Sequence, residues 1–165
     1  DYELFARLIK MTQVTNLAEY LVAYRHHPGQ LSSVYKKPQH AQVALLIHAL
    51  LVERLDLRLG LSDINLFYNA VRAQKMPDEA ALLRAADLIG TLYTRFIQVE
   101  PLEEPSRDLV RQDCAWHWLA MAMTHRRTFR AASRQIYRHS LELDPQIWQR
   151  PQTWRRVRQL HRQAR

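Results

Sequence analysis

The sequence predicts an all-α fold, a single-domain bundle of about seven or eight helices around a buried central helix. Glycine is scarce, with 3 residues in 165, whereas β-rich folds need many tight turns. Apolar residues recur at intervals of three and four along most of the chain, which is the period of an α-helix. Because 47% of the residues are apolar, a chain of this length can bury a core without a metal or a disulfide.

The first two helices are predicted by short apolar stripes. Apolar side chains between residues 2 and 11 follow helical spacing and indicate an amphipathic helix. Asn16, followed three residues later by Glu19, is a variant capping box and predicts that a second helix begins there. The Pro28-Gly29 turn ends this helix.

Residues 41–59 form the most apolar segment, and within it residues 43–52 are apolar on almost every side except at His48. A helix that is apolar all round is usually a buried central one, so we predict that 41–59 is the central helix. Ser62 or Asp63 is the expected N-cap of the next helix, and the chain restarts as a long helix at 76–78.

A short acidic segment divides the chain. Residues 100–106, EPLEEPS, contain two prolines and three glutamates and read as a linker. Within one domain over 1–165, the prediction is therefore a helical core at 1–99, the linker, and a Trp- and Arg-rich helical part at 107–165. Ser106 and Thr153 are the expected N-caps of the first and last helices of that part.

The positive charge is concentrated at one end of the chain. The net charge is +8, and residues 126–165 hold 11 arginines against Glu142 and Asp144, a net +9. Residues 1–125 hold 13 basic and 14 acidic side chains. Arginine, with its planar guanidinium, suits bidentate recognition of phosphate or carboxylate. The pattern predicts an anionic partner, either nucleic acid (DNA or RNA) or an acidic protein segment, and leaves the oligomeric state open.

Arginines three or four residues apart share one face of a helix, and the aromatic residues Tyr137, Trp148 and Trp154 lie among them. Aromatic rings beside cationic groups can stack on bases. We therefore expect a nucleic-acid-binding protein without catalytic activity, for instance a regulatory one; the alternative is an adaptor that binds an acidic segment of a partner. The predicted contact residues for either partner are Arg126, Arg127, Arg130, Arg134, Arg138, Arg155, Arg156, Arg158, Arg162 and Trp154.

Catalytic and metal-binding motifs are missing from the sequence. It has no HExxH, no phosphate-binding glycine loop and no GxSxG, so we predict no enzyme, no cofactor and no metal site. The single Cys114 cannot form an internal disulfide and fits a reducing, cytoplasmic compartment, where we expect it to be a core residue. No apolar run approaches the ~20 residues of a membrane span, so a membrane partner is not expected.

Two local resemblances imply other functions. Trp116, Leu119, Phe129, Ala132 and the ending LELDP at 141–145 fall near the positions of one tetratricopeptide repeat, although the family's glycine and a second copy are missing. This resemblance covers about a fifth of the chain and implies a peptide-binding adaptor.

The pairs Arg134/His139 and Arg156/His161 resemble the Arg-x4–6-His signature of HEPN ribonucleases, which implies action on RNA. A chain this rich in arginine and histidine has roughly two or three such spacings by chance. We therefore keep the expectation of a non-catalytic protein.

Overall fold

The computed structural model describes residues 2–12, 14, 19 and 36–163, and within this part the ordered elements are all helical. The all-α bundle is therefore confirmed. The helix predicted to begin at Asn16 lies almost wholly outside the described residues. The described elements are α1 (Tyr2–Met11), α2 (Lys36–Leu55), α3 (Leu61–Val71), α4 (Glu79–Val99), α5 (Ser106–His125), α6 (Arg130–Leu143), a 3-10 helix (Ile147–Gln149) and α7 (Pro151–Gln163).

The buried core of the described part is built on α4, α5 and α6. Helix α5 is the most central of them, because it packs against α3, α4, α6, α7 and the 3-10 helix. One cluster joins Ile89 of α4, Met121 of α5 and Ile136 of α6, and a second, smaller cluster joins Leu119 to Ile147. Residues on both sides of the acidic linker therefore share one core. None of the described helices is long and apolar enough to cross a bilayer.

The prediction that 41–59 forms the central helix is wrong for the described part. Helix α2 ends at Leu55 and packs against α3 and α4. Ala44 and Leu55 are buried, but Leu45 is 56% exposed. Helix α5 takes the central place because small side chains such as Ala115 and Ala120 let neighbouring helices approach it closely. Alanine adds little to an apolar pattern, so the sequence underestimates the burial of this helix.

The predicted helix starts are only partly right. The restart at 76–78 is confirmed, since the Asp78 side chain accepts a hydrogen bond of 2.7 Å from the Ala81 N–H. The starts of α3 and α5 have no side-chain cap, and they are exposed, so water can satisfy their free N–H groups. Helix α3 begins at Leu61 after Gly60, α5 at Ser106 after Pro105, and α7 at Pro151, so the expected caps Ser62, Asp63, Ser106 and Thr153 lie inside the helices.

Helix α3 ends in a left-handed residue that is not glycine. Ala73 has φ of 51°. The Ala73 N–H donates to the Ala70 carbonyl and the Gln74 N–H to the Asn69 carbonyl, both at 2.9 Å. This pairing closes the helix in the manner of a Schellman motif, where glycine is usually found because a Cβ disfavours positive φ.

Gly90 of α4 lies against the Trp118 ring of α5. A Cβ at this position would lie 3.1 Å from Cζ2 of Trp118. The indole is held across α4 by a hydrogen bond of 3.0 Å from its Nε1 to the Ala86 carbonyl. The absence of a side chain at Gly90 therefore sets the spacing of the two helices that support the basic part of the chain.

Candidate nucleic-acid interface

The turn 126–128 and helix α6 bring five of the predicted arginines together. Helix α6 buries Ala132, Ser133, Ile136 and Ser140 against the core, which leaves the opposite side free. Its exposed side carries three arginines four residues apart, and two more lie in the exposed turn that leads into the helix. At 1.5 Å of rise per residue, the helical three span about 12 Å. We refer to Arg126, Arg127, Arg130, Arg134 and Arg138 as the α6 stripe.

The arginines of the α6 stripe are unpaired among the described residues, although Glu142 lies one helical turn beyond Arg138 on the same exposed side. None of its arginines forms an ion pair or a side-chain hydrogen bond there. The acidic linker turns elsewhere, because Glu100 lies 3.6 Å from Arg54 of α2. At the start of α6, Oε1 of Glu79 accepts a hydrogen bond of 3.1 Å from the Ala132 N–H. Glu79 thus satisfies the helix end and leaves the guanidinium groups facing solvent.

Helix α7 presents a second basic surface. Thr153 and Val157 are buried along the side that docks on α5. Arg155 and Arg158 are exposed and, within the described part of the chain, form no ion pair. Arg162 belongs to α7, but its side chain lies outside the described residues.

Arg156, another predicted contact residue, forms contacts within the molecule. Its Nη1 lies 3.3 Å from Oδ1 of Asp113, and its guanidinium sits 5.3 Å from the centre of the Trp116 ring. Asp113 also faces Nε2 of His117 at 3.3 Å, and hydrogen bonding to His117, helped by Arg156, lowers the pKa of the Asp113 carboxyl. Arg156 flanks the side of α7 that carries Thr153, and its ion pair joins α7 to α5.

A line of three aromatic residues connects α7 to α6. Nε1 of Trp154 donates to the Trp148 carbonyl at 2.9 Å, and the two ring centres are 5.2 Å apart. Nε1 of Trp148 donates in turn to the Tyr137 hydroxyl of α6 at 2.9 Å. Trp148 and Tyr137 pack against the core, whereas Trp154 is 51% exposed. Of the three, Trp154 is the one that offers an open ring face.

The sequence reasoning missed a buried ion network around Asp144. This carboxylate is 1% exposed and accepts hydrogen bonds of 2.9 and 3.2 Å from Arg150. Arg111 lies 3.8 Å from the same carboxylate, donates to the Leu143 carbonyl at 2.7 Å, and pairs with Asp108. Hydrogen bonding by Arg111 lowers the pKa of Asp108. The Arg150 charge is therefore internal, and no spacing in the sequence marks it as different from its neighbours.

The part of the chain that the structure describes offers no metal site. Its histidines, cysteine and acids form no group of three that could hold a metal ion. Cys114 is buried, as expected of a core residue, and burial raises the pKa of its thiol to about 12. A groove of about 130 Å³ between α5 and α7 is lined by residues that already pair with one another, including Asp144 with Arg150.

Comparisons of this chain with protein-family models, with curated proteins and with solved structures give no match. Neither the tetratricopeptide-like stretch nor the Arg-x4-His pairs gain support from a family match. The function therefore has to be inferred from the surface itself.

Proposed function

We propose that this protein binds nucleic acid without catalysing a reaction, and that the α6 stripe is its main contact with the phosphate backbone. Arg155 and Arg158 of α7 add further contacts. The observation that supports this most is that the five guanidinium groups of the stripe are exposed on a packed helical hairpin, with no ion pair to any described residue.

The spacing of the stripe makes an anionic partner favourable. Two charges about 6 Å apart, the rise between arginines four residues apart, repel by about 0.7 kcal/mol in bulk water. A polyanion relieves this repulsion, and each neutralised phosphate releases condensed counterions, which favours binding. The buried face of α6 keeps the guanidinium groups on one side, so little ordering is needed when a strand binds.

An acidic protein segment would neutralise the same charges, so the adaptor function is the alternative. The exposed ring of Trp154 favours nucleic acid. A carboxylate-rich segment gains little from an aromatic face, whereas bases stack on one.

The proposal is tested with two double variants of equal charge. Arg134→Gln/Arg138→Gln removes two charges from the stripe, and Arg58→Gln/Arg107→Gln removes two exposed charges elsewhere. Binding to labelled mixed-sequence DNA and RNA is followed by fluorescence anisotropy at 50 mM salt. Each lost phosphate contact weakens binding roughly tenfold at this salt concentration, so we expect about a hundredfold loss for the stripe variant. The control variant should bind much as the unmodified protein does.

The same binding measurements can contradict the proposal of nucleic-acid binding. If no oligonucleotide binds the unmodified protein more tightly than millimolar, nucleic-acid binding is wrong. Micromolar binding of a glutamate-rich peptide, lost in Arg134→Gln/Arg138→Gln, would then establish the adaptor function instead.

A further inference from the structure

Trp154 is fixed in position, yet half of its surface faces solvent. Its ring is supported by Trp148, which is in turn hydrogen-bonded to Tyr137 in the core. Its Nε1 already donates to the Trp148 carbonyl. The indole therefore has no unsatisfied donor to offer a partner, and what it presents is a rigid aromatic face.

The charged residues next to the Trp154 ring on α7 are basic, and they form no ion pair with a described residue. Arg155 is its chain neighbour, and Arg158 lies one helical turn further along the same helix; both are exposed. Through Trp148 the ring is joined to Tyr137, which lies one turn from Arg134 of the α6 stripe. Trp154 is thus joined through Trp148 to the helix that carries the α6 stripe.

An anchoring role alone does not explain this exposure. Val157 and Thr153 already bury the docking side of α7, and Arg156 adds an ion pair to α5. A tryptophan that served only to fix α7 would gain more by being buried, because each Å² of apolar surface removed from water stabilises the fold.

We infer that the partner is single-stranded and that an unpaired base stacks on the exposed face of Trp154 while the flanking arginines bind its phosphates. This inference rests on the proposed function and specifies its ligand. Duplex bases are already stacked on one another and are closed to a flat ring on a helix surface, whereas the bases of a single strand are open. Stacking on an aromatic ring is tolerant of base identity, so the expected preference is for strandedness and not for sequence.

The test compares three ligands of equal length: a mixed-sequence single strand, its duplex, and a single strand of abasic sites with the same phosphates. Anisotropy is measured on the unmodified protein, on Trp154→Phe, which keeps a ring, and on Trp154→Leu, which keeps apolar bulk without one. Removing one base stack should weaken single-strand binding about 5- to 100-fold. We expect this loss for the abasic strand with the unmodified protein and for Trp154→Leu with the natural strand. Trp154→Phe should retain most of the affinity.

The outcomes separate the inference from the function on which it rests. If the three ligands bind the unmodified protein equally and Trp154→Leu changes none of them, the inference is wrong and phosphate binding by the stripe stands. If none of them binds more tightly than millimolar, both are wrong. Should Trp154→Leu unfold, as judged by circular dichroism, the abasic comparison on the unmodified protein decides the question alone.

Discussion

The ion network around Asp144 should dominate the stability of the C-terminal part of the molecule. Replacing this residue by Asn keeps its size and one acceptor oxygen but removes the charge that Arg150 and Arg111 share. Asp144 is 1% exposed, and its partners Arg150 and Arg111 are 22% and 32% exposed. Arg150 would therefore lose its counter-charge in a partly buried site, whereas Arg111 would keep its ion pair with Asp108.

The size of the stability loss in Asp144→Asn follows from these exposed fractions. Removing one member of a fully buried ion pair costs about 3–5 kcal/mol. Because both arginines keep some contact with water and Arg111 keeps Asp108, we expect a loss below this range, about 2–3 kcal/mol in the free energy of unfolding. For a domain of this size, that loss lowers Tm by roughly 5–10 °C.

The control is the same substitution at an exposed pair. Asp113 and Arg156 are 55% and 45% exposed, so Asp113→Asn should cost at most about 1 kcal/mol. Urea unfolding followed by circular dichroism measures both variants, with unchanged slopes as the check on two-state behaviour. Adding Arg150→Gln to Asp144→Asn should cost less than the sum of the single changes. Equal losses for Asp144→Asn and Asp113→Asn would refute the reasoning.

Three further predictions concern the scaffold. Ala73→Gly should raise the free energy of unfolding by about 1 kcal/mol, because it removes a Cβ from a left-handed residue; a loss in urea unfolding would contradict this. Gly90→Ala should lower the free energy of unfolding by about 1 kcal/mol, since crowding against Trp118 outweighs the gain in helix propensity. A more stable variant would show that the indole moves freely. The hydrogen bond from Arg84 lowers the pKa of Asp63. The stabilisation that this pair gives to the fold is therefore fully present at pH values above the ordinary pKa of aspartate, and it is lost as the pH falls through the lowered pKa. Arg84→Gln should move that pKa up in an NMR titration, and an unchanged pKa would exclude the pair in solution.

The sequence was sufficient for the fold class and for the exposed arginines, but not for the centre of the bundle. Helical periodicity alone places the arginines of α6 opposite Ile136, and this arrangement is what the structure shows. Helical periodicity also places Arg156 beside the buried Thr153–Val157 side of α7, where an ion pair to the neighbouring helix can form. The pairing of Arg150 with Asp144 depends on the turn that contains the 3-10 helix, and periodicity does not describe such turns.

Burial of small residues was the other feature that the sequence did not reveal. Ala115, Ala120 and Ala122 are each at most 4% exposed, yet alanine is common on both surfaces and cores, so its positions predict little. The small alanine side chains allow the neighbouring helices to pack closely around α5. This packing is evident only once the positions of those helices are known.

The salt dependence of single-strand binding tests the central claim most directly. If the five arginines of the α6 stripe and Arg155 and Arg158 of α7 each neutralise one phosphate, the logarithm of the binding constant should fall with the logarithm of salt concentration with a slope of about −4.9. Arg134→Gln/Arg138→Gln should reduce the steepness of this slope by about 1.4, whereas Arg58→Gln/Arg107→Gln should leave it unchanged. Equal slopes for the two variants would contradict the assignment of the stripe as the phosphate-binding surface.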